Sequence, residues 1–241
     1  MTEAEWQTAT DPASLLAFVR DEASERKLRL FACGCCRLNW DQLTDDRSRS
    51  VVEVVERFVD GKSSEADLQL YRELAEQAHE RLQAFARRAL EEARGKRRHF
   101  VTEAFEFAGA AVAAYMTAWD SPYIYPYPFE TDCGGGPYDV AAIGGHAYGY
   151  ERIFRNRGDV ARDIFGNPFR PVTIDPAWRT SDVILLANGI YAERAFDRMP
   201  ILADALQDAG CDSDDILNHL RDAKTTHVRG CWALDLVLGK M

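Results

Sequence analysis

Apolar residues recur every three or four positions through most of this chain, the repeat that turns one helical face toward a core. Asp11-Pro12 sets a cap before a proline at the first helical position, predicting a short helix to about Arg20 that shows Leu15, Leu16, Phe18 and Val19. Ser24 caps a second helix, Glu25 to about Leu43. Its core face carries Leu28, Phe31, Ala32, Cys35 and Leu38, with Arg26, Arg29, Cys33 and Arg37 on the other side. Thr44-Asp45-Asp46 and Gly61 bracket a third, built on Val51, Val54, Val55, Phe58 and Val59. Ser63 or Ser64 opens a long charged helix to about Gly95, and Phe100 to Trp119 reads as an alanine- and aromatic-rich helix antiparallel to it.

The pattern breaks between Ser121 and Gly149, where Tyr-Pro steps and three consecutive glycines forbid an uninterrupted helix. Tyrosine offers large contact area at low entropic cost, so Tyr123, Tyr125, Tyr127, Tyr138 and Tyr148 form the candidate binding surface. Gly134-Gly135-Gly136 is no phosphate loop, since neither a preceding strand nor a following Gly-Lys-Ser/Thr accompanies it. Helix resumes from about Tyr150 to Phe165. The connector FGNPFRPVTIDPAW then holds three prolines that delay the next helix, and Ser181, Pro200 and Asp212 or Ser213 begin three more. Only Pro171 to Ile174 has the character of a strand. The fold class expected is all-α, an irregular multi-helix bundle with a Tyr/Pro/Gly-rich insertion, arranged as a single helical domain over 1–241 with the insertion at 121–149.

Candidate chemistry concentrates in Cys211 to Gly239. A helix from His227 to Leu238, turning about 100° per residue, would align His227, Cys231 and Asp235 at i, i+4 and i+8. Buried imidazole, thiol and carboxylate groups each need a partner, because desolvating an unpaired polar group costs roughly 2–7 kcal/mol. One answer is a metal-free, hydrogen-bonded core in which Asp235 pairs with an arginine, Cys231 fills space and His227 caps the helix. The other adds Cys211 and His219 to His227 and Cys231, giving two thiols and two imidazoles that zinc accepts. The C-x7-H-x7-H-x3-C spacing lacks the tight knuckle of zinc fingers. The five residues Asp222 to Thr226 favour antiparallel neighbours, which brings His219 to His227 and leaves Cys211 at the far end, with Asp235 or Cys33 and Cys36 as substitutes. A Cys–His nucleophile pair is a third arrangement. The expected state is metal-free, with zinc the alternative cofactor.

Composition narrows the partners. Of 241 residues, 46% are hydrophobic and 28% charged, enough to bury a sizeable core. A formal net charge of −10 argues against wholesale binding to nucleic acid or anionic membranes, leaving Arg87, Arg88, Arg94, Lys96, Arg97 and Arg98 as the one basic stretch. No apolar run is long enough to span a bilayer, and MTEAEWQTATDP does not resemble a secretory signal, so the expected location is the cytoplasm. Six cysteines, three of them in Cys33-Gly34-Cys35-Cys36, do not form an extracellular disulfide pattern. Arginines four residues either side of Cys33 would lower its thiol pKa if it met solvent.

At FACGCCR, IFGNPFRPVTIDPAW, IYAERAFDRMPILADAL and HVRGCWALDLVLGK, the chain resembles a large group of paralogous bacterial proteins that open with MTEAEW and close with the same final block. The likeness covers roughly the first sixty and last eighty residues. It implies kinship without a mechanism, and the insertion departs from the group's alanine-rich middle. The function expected is a non-enzymatic interaction or regulatory protein with a protein partner. The alternative is a zinc-binding protein or zinc-dependent hydrolase that uses the C-terminal Cys/His/Asp cluster.

Overall fold

The computed structural model describes residues 1–10, 12–38, 40–92 and 157–240. The expected helix at 100–119, the insertion and the basic residues beyond Glu92 lie outside them. The fold is all-α, with no strand among the described residues, Pro171 to Ile174 included. Backbone contacts divide the chain into two compact units, Met1–Lys27 with Arg155–Met241 and Leu28–Phe154.

In the second unit, α3 (Glu25–Leu38) enters from Leu28 onward and is followed by α4 (Asp46–Phe58) and α5 (Glu65–Glu92). The local signals act where the sequence puts them. The Asp45 carboxylate accepts the Arg47 N–H, and Ser64 and Asp67 exchange hydrogen bonds at the start of α5. Gly61 takes a positive φ of 67°, ending α4 where a side chain would be strained. Helix α3 stops at Leu38, short of Leu43, and a 3-10 turn follows at Trp40–Gln42.

Cys33 corrects the expected two-faced α3. It is buried with Cys36 among Val51, Val52, Val55 and Leu68, and Arg29 on the same side of α3 is buried too. Arg37 is engaged by both Glu56 oxygens at 3.0 and 2.9 Å and lies 3.8 Å over the Trp40 ring. Burial, followed by the negative charge of Glu56, raises the Cys33 thiol pKa well above its usual value, and this outweighs Arg37 and Arg29.

The first unit begins with α1 (Glu3–Thr8), closed by a Thr2–Glu5 capping box, and α2 (Pro12–Val19). Helix α6 spans residues 157–165. After the proline-rich connector come α7 (Ser181–Glu193), α8 (Met199–Asp208), α9 (Asp214–Arg221) and α10 (Trp232–Leu238). Ile190, Leu202, Leu206, Ile216, Leu220 and Leu234 are fully or almost fully buried in their common core. The C-terminal helix is shorter than the sequence pattern suggests. Gly230 takes φ 92° and Cys231 is non-helical at the N-cap with φ −45° and ψ 124°, so His227 lies in the preceding loop instead of one turn below Cys231 on a continuous helix.

Asp235 on α10 is nearly inaccessible to solvent and does pair with an arginine. Arg26 donates to both its oxygens at 2.6 and 3.2 Å, and the Lys27 ammonium lies 2.8 Å away. Lys27 also donates to the carbonyls of Ile164 and Gly230, so one ammonium ties α6 and the loop before α10 to the start of α3. Removing one member of a buried ion pair leaves an uncompensated charge and costs about 3–5 kcal/mol. We expect Asp235→Ala to lose stability on that scale in urea denaturation of the full chain, and Asp235→Asn, which keeps an acceptor, to lose less. A loss under 1 kcal/mol for Asp235→Ala would show that Arg26 and Lys27 recover solvent without cost.

Candidate metal centre

Four side chains of the first unit converge on one point. Asp163 projects from α6, His219 from the last turn of α9, His227 from the loop that follows, and Cys231 from the N-cap of α10. One ligand-type atom from each lies within 4.8 Å of every other. Asp163 Oδ1 is 3.2 Å from His219 Nε2 and 2.8 Å from His227 Nδ1. Cys231 Sγ is 3.3 Å from His219 Nε2 and 3.8 Å from His227 Nδ1. The two imidazole rings meet edge to face at 5.0 Å, as the short link between α9 and the following loop requires.

Local structure aims each group. Val228 N–H donates to Asp163 Oδ2 at 2.9 Å, which fixes the carboxylate and leaves Oδ1 directed at the two imidazoles. Trp232 packs 4.9 Å from the His219 ring. The non-helical backbone at Cys231 starts α10 with the thiol buried, where the N–H groups of Leu234 and Ala233 approach it. Nε2 of His227 is buried with no hydrogen-bond partner.

Burial alone would raise the Asp163 carboxyl, but hydrogen bonds from His219 and His227, together with their charges, more than reverse that and leave its pKa below the usual value. Burial and the nearby Asp163 charge push the Cys231 thiol well above its usual value, against the opposing pull of the Leu234 and Ala233 N–H groups. Without a bound cation the pair is therefore an ionised carboxylate beside a neutral thiol. This buried Asp/His/His/Cys group could hold a metal ion.

Three of the four expected ligands, His219, His227 and Cys231, are brought together, and Cys211 is not. Cys211 is buried in the apolar core beside Leu206 and Ile216, where it fills space. Neither expected substitute replaces it. Asp235 is committed to Arg26 and Lys27, and Cys33 and Cys36 pack in the other unit. The fourth group is Asp163, which the sequence reading did not single out. Its signal was an acid set among Val160, Ala161 and Ile164, three fully buried residues of α6. His227 faces Asp163 instead of capping a helix. Tyr123, Tyr125, Tyr127, Tyr138 and Tyr148 lie outside the described residues.

No family model, curated protein or solved structure matches this chain.

A buried neutral thiol reacts only when the structure opens. Peptide mapping after a brief pulse of alkylating reagent should leave Cys33, Cys211 and Cys231 unmodified in the native chain and modified in denaturant. Rapid native labelling of Cys231 would overturn the burial described above.

Proposed function

We propose that the first unit is a metal-binding module that holds one zinc ion through Asp163, His219, His227 and Cys231, with a structural role. The observation that carries this reading is that each imidazole uses a single nitrogen for both of its neighbours. Nε2 of His219 faces both Asp163 and Cys231, and Nδ1 of His227 does the same. A nucleophilic triad needs a different pattern, because its histidine takes a proton from the thiol on one nitrogen while the carboxylate holds the other. Shared nitrogens favour a common centre over a relay. Tetrahedral zinc with bonds of about 2.0–2.3 Å separates its ligand atoms by roughly 3.3–3.7 Å. Four of the six separations are 2.8, 3.2, 3.3 and 3.8 Å, on either side of that range, and all six are within 4.8 Å.

Charge and softness support the same ion. One carboxylate and one thiolate neutralise a divalent cation, so a loaded centre buries no net charge. Two imidazoles and a sulfur suit zinc and its transition-metal neighbours far better than magnesium or calcium. Four protein ligands close the coordination sphere and favour a structural ion over a hydrolytic one, which would keep a position for water. A non-enzymatic interaction protein is compatible with this reading. The module would then be a scaffold, and the tyrosine-rich insertion its candidate contact surface.

The competing arrangement is a metal-free cluster in which both imidazoles donate to Asp163 Oδ1. Elemental analysis and calorimetry separate the two. We expect about one zinc per chain and a lower melting temperature after chelation. Asp163→Ala and Cys231→Ser should each abolish stoichiometric binding, and Cys211→Ser should leave it intact. No bound zinc after loading, with no change of melting temperature on chelation, would refute the proposal.

The raised Cys231 pKa gives a second test. At neutral pH the metal must displace the thiol proton, so apparent affinity should fall about tenfold per unit as pH drops, with at least one proton released on binding. Proton release measured by titration in two buffers of different ionisation enthalpy checks the sign and the count.

A further inference from the structure

Asp163 and His219 also line an open cleft of about 1060 Å³ in the same unit, whereas His227 and Cys231 do not. The cleft therefore meets the four-residue centre along one edge, the 3.2 Å line between Asp163 Oδ1 and His219 Nε2. Exposure follows the same direction. The His219 side chain is 15% accessible, against 6% for His227 and 0% for Asp163. His219 is thus the outermost of the four, and Trp232, which packs on its ring, lines the cleft as well.

The cleft wall beside His219 is acidic. Asp215 lies four residues before it, one helical turn away on α9, and Asp222 three residues after it. Of the other cleft carboxylates, Asp159 is paired with Arg162, Glu3 with Arg170 and Asp235 with Arg26 and Lys27, while Glu22 is an exposed acid with no ion pair among the described residues. Asp222 accepts the Lys224 N–H and the Thr225 hydroxyl and keeps its negative charge; Lys224 is the nearby cation on the same wall. Asp215 has no ion pair among the described residues.

Resting on the metal reading above, we infer that this cleft is the route by which the divalent ion reaches and leaves the centre. The ion is then exchangeable in the folded protein, not sealed in during folding. Asp215 and Asp222 draw the cation toward the Asp163–His219 edge, Asp163, His227 and Cys231 form the inner cup, and His219 closes last. The proton displaced from Cys231 leaves to solvent as the sulfur–metal bond forms.

Cobalt(II) added to the metal-free full chain tests this, because its bond to a thiolate gives a charge-transfer band that stopped-flow absorption can follow. Asp215→Asn/Asp222→Asn removes both charges, and an asparagine at 222 keeps one oxygen for the Lys224 N–H while its amide nitrogen can donate to the Thr225 hydroxyl. Association should slow several-fold in the double variant at low salt, the difference should vanish in about 1 M salt, and the final spectrum should match that of the parent. A chelator should also strip the ion from the parent faster than the chain unfolds. An association rate indifferent to the substitutions at low salt, or release no faster than global unfolding, would overturn the route. A parent chain with no cobalt–thiolate band at all would refute the metal reading itself.

Discussion

Two buried carboxylates, Asp163 and Asp235, govern how the C-terminal segment is held. An ionised carboxylate removed from water is expensive unless charge and hydrogen bonds answer it, so each dictates what must surround it. Asp235 takes Arg26 and Lys27 from the N-terminal side of the unit. Asp163 takes the Val228 N–H and two imidazoles. The stretch from Val228 to Asp235 is therefore fixed near both ends by groups distant in sequence. Its short helix depends on those anchors, since seven residues are too few to be stable as an isolated helix.

Three separate stretches of the sequence meet in the same unit. Trp6 of MTEAEW is fully buried and donates through Nε1 to the Gly166 carbonyl. Glu3 accepts from Asn167 and pairs with Arg170, both in GNPFR. Gly166 has φ 69°, and a Cβ there would lie 3.2 Å from Cγ of Trp232 in the final block. Arg179, just after DPAW, donates to the Val237 carbonyl. The turn after α6 thus has to be glycine for two independent reasons, its backbone conformation and the indole against it.

What the sequence made legible was local. Caps at Asp45 and Ser64, the stop at Gly61 and the helical periodicity each depend on neighbours a few residues away, and each stands where expected. The proximity of His219 to His227 was legible too, because a five-residue link leaves little choice. Gly230 was not, since a glycine inside an apolar helical repeat is tolerated in many helices and its positive φ is set by tertiary packing. Asp163 was harder still, as nothing in its own helix names a partner 56 residues away at His219. Cys33 shows a further limit: its arginine neighbours are legible from spacing, but that Glu56 occupies Arg37 and that burial outweighs the remaining charge depend on tertiary packing.

The centre itself is best understood through the proton that Cys231 carries. With Asp163 ionised and the thiol neutral, the buried carboxylate of the metal-free cluster is answered by the Val228 N–H and by the two imidazoles. Placing a second negative charge on sulfur, 3.3 Å from His219 and beside the same carboxylate, would be strongly unfavourable unless a cation stood between them. Under the metal-binding proposal a divalent ion would permit it, replacing one proton and leaving two anionic ligands to balance the cation. The same argument explains why Asp163 suits the position better than the expected Cys211. A second thiol would have to lose a second proton against the same burial, whereas the carboxylate is already ionised and already fastened through its other oxygen to the Val228 backbone.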